Sequence, residues 1–274
     1  MGSPHKNHSA TKPSPLILMF AAGCTLLAFT LLALWPTPNL EAQAVAARAA
    51  LEEARKTHTV HPRYNQIMSP APEELRSQTQ KLLFLATMLP LIAMENDRIR
   101  SQRAFVKRTT SPIHLNALAL DYGLEPGSID KDALLRRIDV LPESLVLAQA
   151  AVESAWGTSR FARVGNAFFG ERTYNPDTPG IVPKRASGFK VKRFASAQLS
   201  VRSYMHTINS HRAYGTFRHR RAALRMSDEP LTGHGLAIHL QAYSELGSAY
   251  IKRITDTISV NSLSDFDGIK IKPE

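Results

Sequence analysis

From Leu16 to Trp35 the chain reads LILMFAAGCTLLAFTLLALW, without one charged residue. A run of that length and apolarity can cross a bilayer as a helix. Uniform apolarity at a terminus is not the pattern of a half-buried soluble helix. Lys6 and Lys12 are the only charged residues before Glu41. Basic residues on the N-terminal side predict a cytoplasmic N-terminus, with everything beyond Trp35 outside the cytoplasmic membrane. Pro36, Pro38 and Asn39 end the helix. Ala42-Gln43-Ala44 offers a signal-cleavage pattern as the alternative, which would leave a free periplasmic protein. The length of the run favours a retained single-pass anchor. Cys24 is the one cysteine, so no intramolecular disulfide forms.

The anchor divides the chain into a cytoplasmic stub with membrane segment (1–40), a linker (41–75) and a globular domain (76–274) whose core spans about 111–260. Nearly all of the net charge of +11 falls beyond the membrane run, which favours a polyanionic partner. Basic residues concentrate in Arg98–Arg108 and Thr216–Arg225. These stretches read as solvated faces, with contact to an anionic surface as the sharper reading. An outward-facing domain argues against nucleic acid.

The domain reads as mainly α. Glu41–Lys56 is Ala-rich and suits a short exposed helix, while His58–Pro72 is a proline-containing linker. Leu75, Leu82, Leu85, Leu89, Ile92 and Ile99 recur at helical spacing, and Pro90 is expected to kink that helix. Short helices follow at His114–Tyr122 and Asp130–Ile138, the second capped by Asp130. Pro142 suits the first turn of a helix carrying Leu145, Ala148, Val152 and Trp156 on its core face, with Gly157 as its stop. Tyr174–Gly188 is rich in Pro, Gly and Asp and reads as a loop or small hairpin, with Phe189, Val191 and Phe194 as strand positions. Helix resumes after Ser196 and returns at Leu231–Tyr243 and Ala249–Ser259; the tail from Asn261 is expected to be loosely held.

Within Ala148-Gln149-Ala150-Ala151-Val152-Glu153-Ser154-Ala155-Trp156-Gly157, Glu153 stands alone as a carboxylate among small apolar residues. Burial there disfavours its charged form, and the C-terminal end of a helix pushes the same way. A carboxylic acid that keeps its proton near neutrality is what protonation of a glycosidic oxygen requires. Gln149, at helical spacing from Glu153, forms part of the same cleft wall.

These residues resemble the catalytic helix of the bacterial peptidoglycan N-acetylglucosaminidases, the glucosaminidase family of lysozyme-like folds. Gly165-Asn166-Ala167-Phe168-Phe169-Gly170 resembles the family's Asn-Leu-Phe-Gly turn. His211-Arg212-Ala213-Tyr214 resembles its Pro-x-Tyr segment, and Gly247-Ser248-Ala249-Tyr250 its closing tyrosine motif. The four motifs stand in the family's order, and the resemblance runs from about Lys81 to about Ile258. It implies a lysozyme-like, mainly α domain with a small β excursion, acting on the β-1,4 bond after N-acetylglucosamine in peptidoglycan. Glu153 is then the general acid and Tyr214 a catalytic-site tyrosine. Glu171 stands where the family usually has an aliphatic residue, and is one candidate for a second carboxylate; Asp177, in the next loop, is another. Substrate-assisted catalysis through the 2-acetamido group needs neither. Trp156, Asn166, Phe168, Phe169, Gly170 and Tyr250 are candidates for shaping the sugar cleft. A muramidase or lytic transglycosylase on the same fold, and a non-catalytic wall-binding protein, are the rival readings.

No His-Glu-x-x-His, Gly-rich phosphate loop or nucleophile elbow occurs. The pairs His206/His211 and His234/His239 are five residues apart, in poor register for chelation on a helix. Neither a metal nor a nucleotide cofactor is implied.

Overall fold

The computed structural model describes residues 40–62, 78–125, 130–184 and 188–273. The apolar run Leu16–Trp35, with Lys6, Lys12 and Cys24, lies outside them. Among the described residues no helix is long and apolar enough to cross a membrane. Residues 44–274 form one compact unit.

The unit is mainly helical and is built around α5 (Glu143–Ser154). Leu145, Val146, Leu147, Ala148 and Ala150 of this helix are all fully buried. A helix apolar on every side must be covered on every side. Its cover comes from α2 (Gln78–Arg108), α9 (Gly233–Ala237), α10 (Ser248–Val260) and the short 3₁₀ turn Leu263–Phe266. Gly233 marks the closest approach. A Cβ there would lie 2.2 Å from the Ser144 hydroxyl, so α9 packs directly on the first turn of α5.

Pro142 occupies the N-cap of α5 and has no side-chain acceptor for the helix's free amides. The C-terminal tail supplies one instead. Asp267 accepts from the Ser144 amide and hydroxyl, each at 2.8 Å, and from the Gly233 amide at 3.3 Å. Glu143 accepts from the Gly268 amide at 2.8 Å and from Asn96 at 2.7 Å. Leu263, Phe266 and Ile269 are fully buried. The tail expected to be loose is therefore part of the core. Its polarity in sequence conceals three apolar anchors, one carboxylate acceptor in Asp267 and one amide donor in Gly268.

The N-terminal side is corrected in the same sense. α1 (Leu40–Thr57) buries Ala47, Leu51 and Ala54, and β1 (Thr59–Val60) pairs in parallel with β5 (Lys270–Ile271). The span expected to be a linker thus contributes to the compact unit. The Ala42-Gln43-Ala44 pattern falls inside α1. Pro90 does not interrupt α2, which runs unbroken through it. Met88, Leu89, Leu91, Ile92 and Ala93 are fully buried around that position, and packing against α5 and α7 (Ala197–Ser210) holds the helix through the proline.

The basic stretches are solvated only in part: Lys107, Arg108 and Arg220 are exposed, whereas Arg98 and Arg103 are partly buried and Arg218 and Arg221 buried. Arg98 pairs with buried Glu95 at 2.6 Å, and Arg103 donates to the carbonyls of Leu135 and Ile138. In α8 (Gly215–Met226), Arg221 is fully buried and donates to four carbonyls, those of Arg136, Arg137, Asp139 and Val140. It thereby closes the end of α4 (Lys131–Arg137), whose start is capped by Asp130 as expected. Arg225 holds the buried Asp139 through two hydrogen bonds, at 2.9 and 3.1 Å. Sequence pattern cannot distinguish an arginine that caps a neighbouring helix from one that meets water.

Helix α3 (Pro112–Asp121) and α6 (Arg160–Gly165) complete the helices around the small sheet. That sheet has three strands rather than a hairpin: β2 (Arg172–Thr173), β3 (Gly180–Ile181) and central β4 (Lys190–Lys192), all antiparallel. Val191 is its buried core position; Phe189 and Phe194 flank the strand rather than lie in it.

Burial lifts the Glu143 carboxyl from 4.5 to about 7. Between those values the folded state holds a proton that the unfolded state has released, so stability falls as pH rises through that window. Chemical denaturation of the full chain in detergent micelles at pH 5 and pH 8 is expected to show the higher midpoint at pH 5. Glu143→Gln is expected to flatten this difference.

Candidate active site

Glu153 is the penultimate residue of α5, and the chain turns sharply after it. Ala155, Trp156 and Gly157 take φ of 51°, 58° and 80°, three successive left-handed residues. Two of them are not glycine, so the turn carries backbone strain. It is held by the Gly157 amide on the Ser154 hydroxyl at 2.8 Å and by Gln80 on the Trp156 carbonyl at 2.8 Å. The helix thus ends three residues before its expected stop, which leaves Glu153 at the lip of a cleft of about 720 Å³.

Phe169, Gly170, Glu171, Tyr214, Tyr243 and Lys192 line this cleft with Glu153. Gly170 has φ of +63°, and a Cβ there would stand 3.4 Å from the Glu153 carboxylate. A side chain at this position would be strained and would crowd the acid, which accounts for a glycine in the turn.

Gln149 does not line the cleft. It is fully buried behind Glu153. Its amide nitrogen donates to the Tyr250 hydroxyl at 2.9 Å, and its carbonyl accepts from the Tyr204 hydroxyl. Tyr250 accepts from Gln149 and so has its own proton free for Glu153, with which it interacts. Tyr250 is itself buried, and acts on the carboxyl from behind.

Tyr204 stacks on Phe169 at 4.0 Å, Tyr243 stacks on Tyr250 at 5.5 Å, and the Tyr243 hydroxyl donates to the Phe169 carbonyl at 2.8 Å. Tyr214, in the 3₁₀ turn Arg212–Tyr214, lies 6.3 Å from the Tyr243 ring. The cleft therefore has a floor of aromatic rings.

Electrostatics follow from this enclosure. Burial pushes the Glu153 carboxyl above the ordinary glutamate value; the Tyr250 hydroxyl and the Arg253 charge pull the other way without cancelling it. Burial, then the Glu171 charge, lifts Tyr214 to about 12. Burial drives Tyr204, Tyr243 and Tyr250 upward as well. All four phenols remain proton donors at neutral pH.

Glu171 is the second carboxylate in the cleft. Its Oε2 accepts from Lys192 at 3.0 Å and from Ser203 at 2.9 Å. Its Oε1 is buried and has no hydrogen-bond partner among the described residues. Asp177 stands apart, exposed in the loop after β2, where its amide bonds Asn175.

Three other expected cleft residues lie elsewhere. Trp156 packs edge-on against Phe84 at 5.6 Å with Lys81 over its ring. Phe168 is buried beside Phe84. Asn166 is the left-handed C-cap of α6 and ties the turn to the Phe194 carbonyl at 3.0 Å. The Asn-to-Gly segment is thus a structural hinge that delivers Phe169, Gly170 and Glu171. Tyr204, Tyr243, Lys192 and Ser203 were not singled out from the sequence. Tyr204 shares a helical stripe with Val201 and Ile208, and nothing in that periodicity separates it from a core residue. Among the described residues no group of His, Cys, Asp or Glu has the arrangement of a metal site.

The family described as Glucosaminidase, mannosyl-glycoprotein endo-beta-N-acetylglucosaminidase, matches residues 130–262, which include every cleft residue named above. These residues are thus similar to the glucosaminidase family. The chain is similar to Protein bax of Escherichia coli (strain K12): it is 33% identical over 183 residues, covering 62% of this chain and 66% of that protein. It thus spans just under two thirds of that relative's length. No solved structure matches the chain.

Replacing Gln149 by Leu strands the buried Tyr204 hydroxyl and removes the donor to the Tyr250 hydroxyl, which keeps Glu153 as its partner. The full chain is expected to lose roughly 2–4 kcal/mol of stability, read from urea denaturation.

Proposed function

We propose that the protein hydrolyses the β-1,4 bond after N-acetylglucosamine in the glycan strands of peptidoglycan, on a lysozyme-like domain. The observation that carries this reading is a half-buried carboxyl, Glu153, at the lip of an aromatic-floored cleft, where burial raises its affinity for a proton. Such a group can protonate the leaving oxygen as the glycosidic bond breaks. The partly exposed ring of Tyr243, backed by the buried Phe169–Tyr204 stack, offers flat apolar surface to the sugars. Tyr214, a phenol that stays protonated, is placed to donate to the 2-acetamido group or to steady the charge that develops on the sugar.

Glu171 is the second carboxylate in this reading. Lys192 and Ser203 fix its Oε2, and its Oε1 is buried without a partner among the described residues, so the side chain must turn toward the cleft to reach a water or the anomeric centre. Gln149 and Tyr250 are positioning residues that act through Glu153. The N-terminal run Leu16–Trp35 serves as a single-pass anchor that presents the domain to the wall outside the cytoplasmic membrane.

The test uses the full chain in detergent micelles, as wild type and as Glu153→Gln, incubated with peptidoglycan. Fragments are reduced with borohydride and identified by mass spectrometry. Reduced N-acetylglucosamine ends are expected, with the rate lowered by roughly 10²–10⁴ in Glu153→Gln. Reduced muramic acid or anhydromuramic ends would assign the same site to a muramidase or a lytic transglycosylase. No fragments at all would leave a wall-binding protein. Because the acid must be protonated, activity is expected to fall as pH rises through the raised Glu153 pKa. Glu171→Gln is expected to lower the rate by at least about tenfold; an unchanged rate would assign the second role to the substrate's acetamido group.

A further inference from the structure

On the other side of the Tyr214 turn lies a second cavity, of about 190 Å³, lined by Arg136, Arg137, Arg218, His219 and Gly215 together with Leu124 and Ala133. No carboxylate lines it. Arg218 is only 6% exposed. Its Nη1 donates to the carbonyls of Ile208 at 2.9 Å and His211 at 2.8 Å. Its Nε and Nη2 make no hydrogen bond among the described residues, yet they are not sealed off from solvent. Arg137 spends Nη1 on the carbonyls of Tyr122 and Ser210.

Carbonyls satisfy N–H groups but do not neutralise a charge. Asp130 pairs with Arg136 at 3.3 Å and Asp139 with Arg225 at 2.9 Å, and Glu125, beside Leu124, is exposed and pairs with neither Arg137 nor Arg218. Among the described residues no ion pair forms to Arg137 or Arg218, and residues 126–129 (Pro-Gly-Ser-Ile) carry no charge. The buried Arg218 guanidinium, with the partly buried Arg137 beside it, is costly without a counter-charge. Burial, with the charges of Arg137 and Arg221 close by, pulls Arg218 down to about 10. It is still a cation at neutral pH.

The remaining wall is the start of α8, whose dipole favours an anion; the Gly215 amide itself donates to the Arg212 carbonyl. Gly215 lines the cavity with an ordinary helical φ of −55°, and a Cβ there would meet nothing within 4 Å, so a side chain at this position is accommodated. A cavity of this size holds about six waters' worth of volume, enough for one tetrahedral oxyanion. Guanidinium forks match phosphate geometry.

We propose that this cavity is a phosphate-binding site, in which Arg218, Arg137 and the first turn of α8 hold one phosphate group, either free or as a monoester. The site stands apart from the Glu153 cleft and does not depend on the glycosidase reading. It is joined to the cleft wall by the bond from Arg218 to the His211 carbonyl, three residues before Tyr214.

The test is thermal unfolding of the full chain in detergent micelles, with inorganic phosphate exchanged for chloride at constant ionic strength. A saturable rise in unfolding temperature of about 3–5 °C is expected. Gly215→Asp builds a carboxylate into the cavity. It is expected to raise the unfolding temperature without phosphate and to abolish the phosphate increment. Arg218→Lys, which keeps the charge but loses the fork, is expected to raise the half-saturating phosphate concentration at least about tenfold. Glycerol 3-phosphate run in parallel identifies the source: tighter binding than inorganic phosphate assigns the site to a monoester, and weaker binding assigns it to free phosphate. No rise with either ligand, or a rise that survives in Gly215→Asp, overturns the proposal.

Discussion

A helix with no solvent-facing side must find a partner inside the protein for each polar group it carries, and α5 is such a helix. At its start the free amides have no cap of their own, so Asp267 and Glu143 tie them to the C-terminal tail. In its middle the Gln149 amide is shared between two tyrosine hydroxyls. At its end Glu153 escapes complete burial because the chain turns left-handed immediately afterwards. The tail, the tyrosine cluster and the cleft are each required by the enclosure of this one helix.

The same enclosure sets the chemistry. The rings that cover the end of α5 remove water from Glu153 and raise its affinity for a proton. The same burial holds the hydroxyls of those rings neutral; Tyr204 donates to Gln149 and Tyr243 to the Phe169 carbonyl, which leaves Tyr214 as the phenol donor lining the cleft. Glu171 experiences a different environment a few ångströms of chain away, with Lys192 and Ser203 on one oxygen. Two carboxyls in unlike surroundings are what an acid and its partner need if they are to hold different charges at one pH.

Much of this was legible in the sequence, and the parts that were not share a physical reason. Glu153 stood out because it is a lone carboxylate among small apolar residues, Tyr214 and Gly170 followed from the motif resemblance, and Glu171 stood out as a departure from that motif. The expectations that failed were those in which a polar residue finds its partner far away in sequence. Gln149 was placed on the cleft wall, but a tyrosine 101 residues later takes its amide inward. The arginines of Arg98–Arg108 read as a solvated face because their carbonyl partners lie outside the helix. The tail read as loose because Asp267 looks like any surface acid until Ser144 is beside it. Periodicity reports which face of a helix is apolar; it does not report which buried carbonyl or amide a long side chain will reach.

The central claim is that the fold keeps a proton on Glu153. It is tested most directly by titrating the Glu153 side-chain carboxyl in the full chain by carbon NMR, with the resonance assigned by its absence from the Glu153→Gln spectrum. The account predicts a midpoint above the range of an ordinary glutamate. A midpoint within or below that range would contradict it, because the enclosure of α5 would then not control the charge at the cleft.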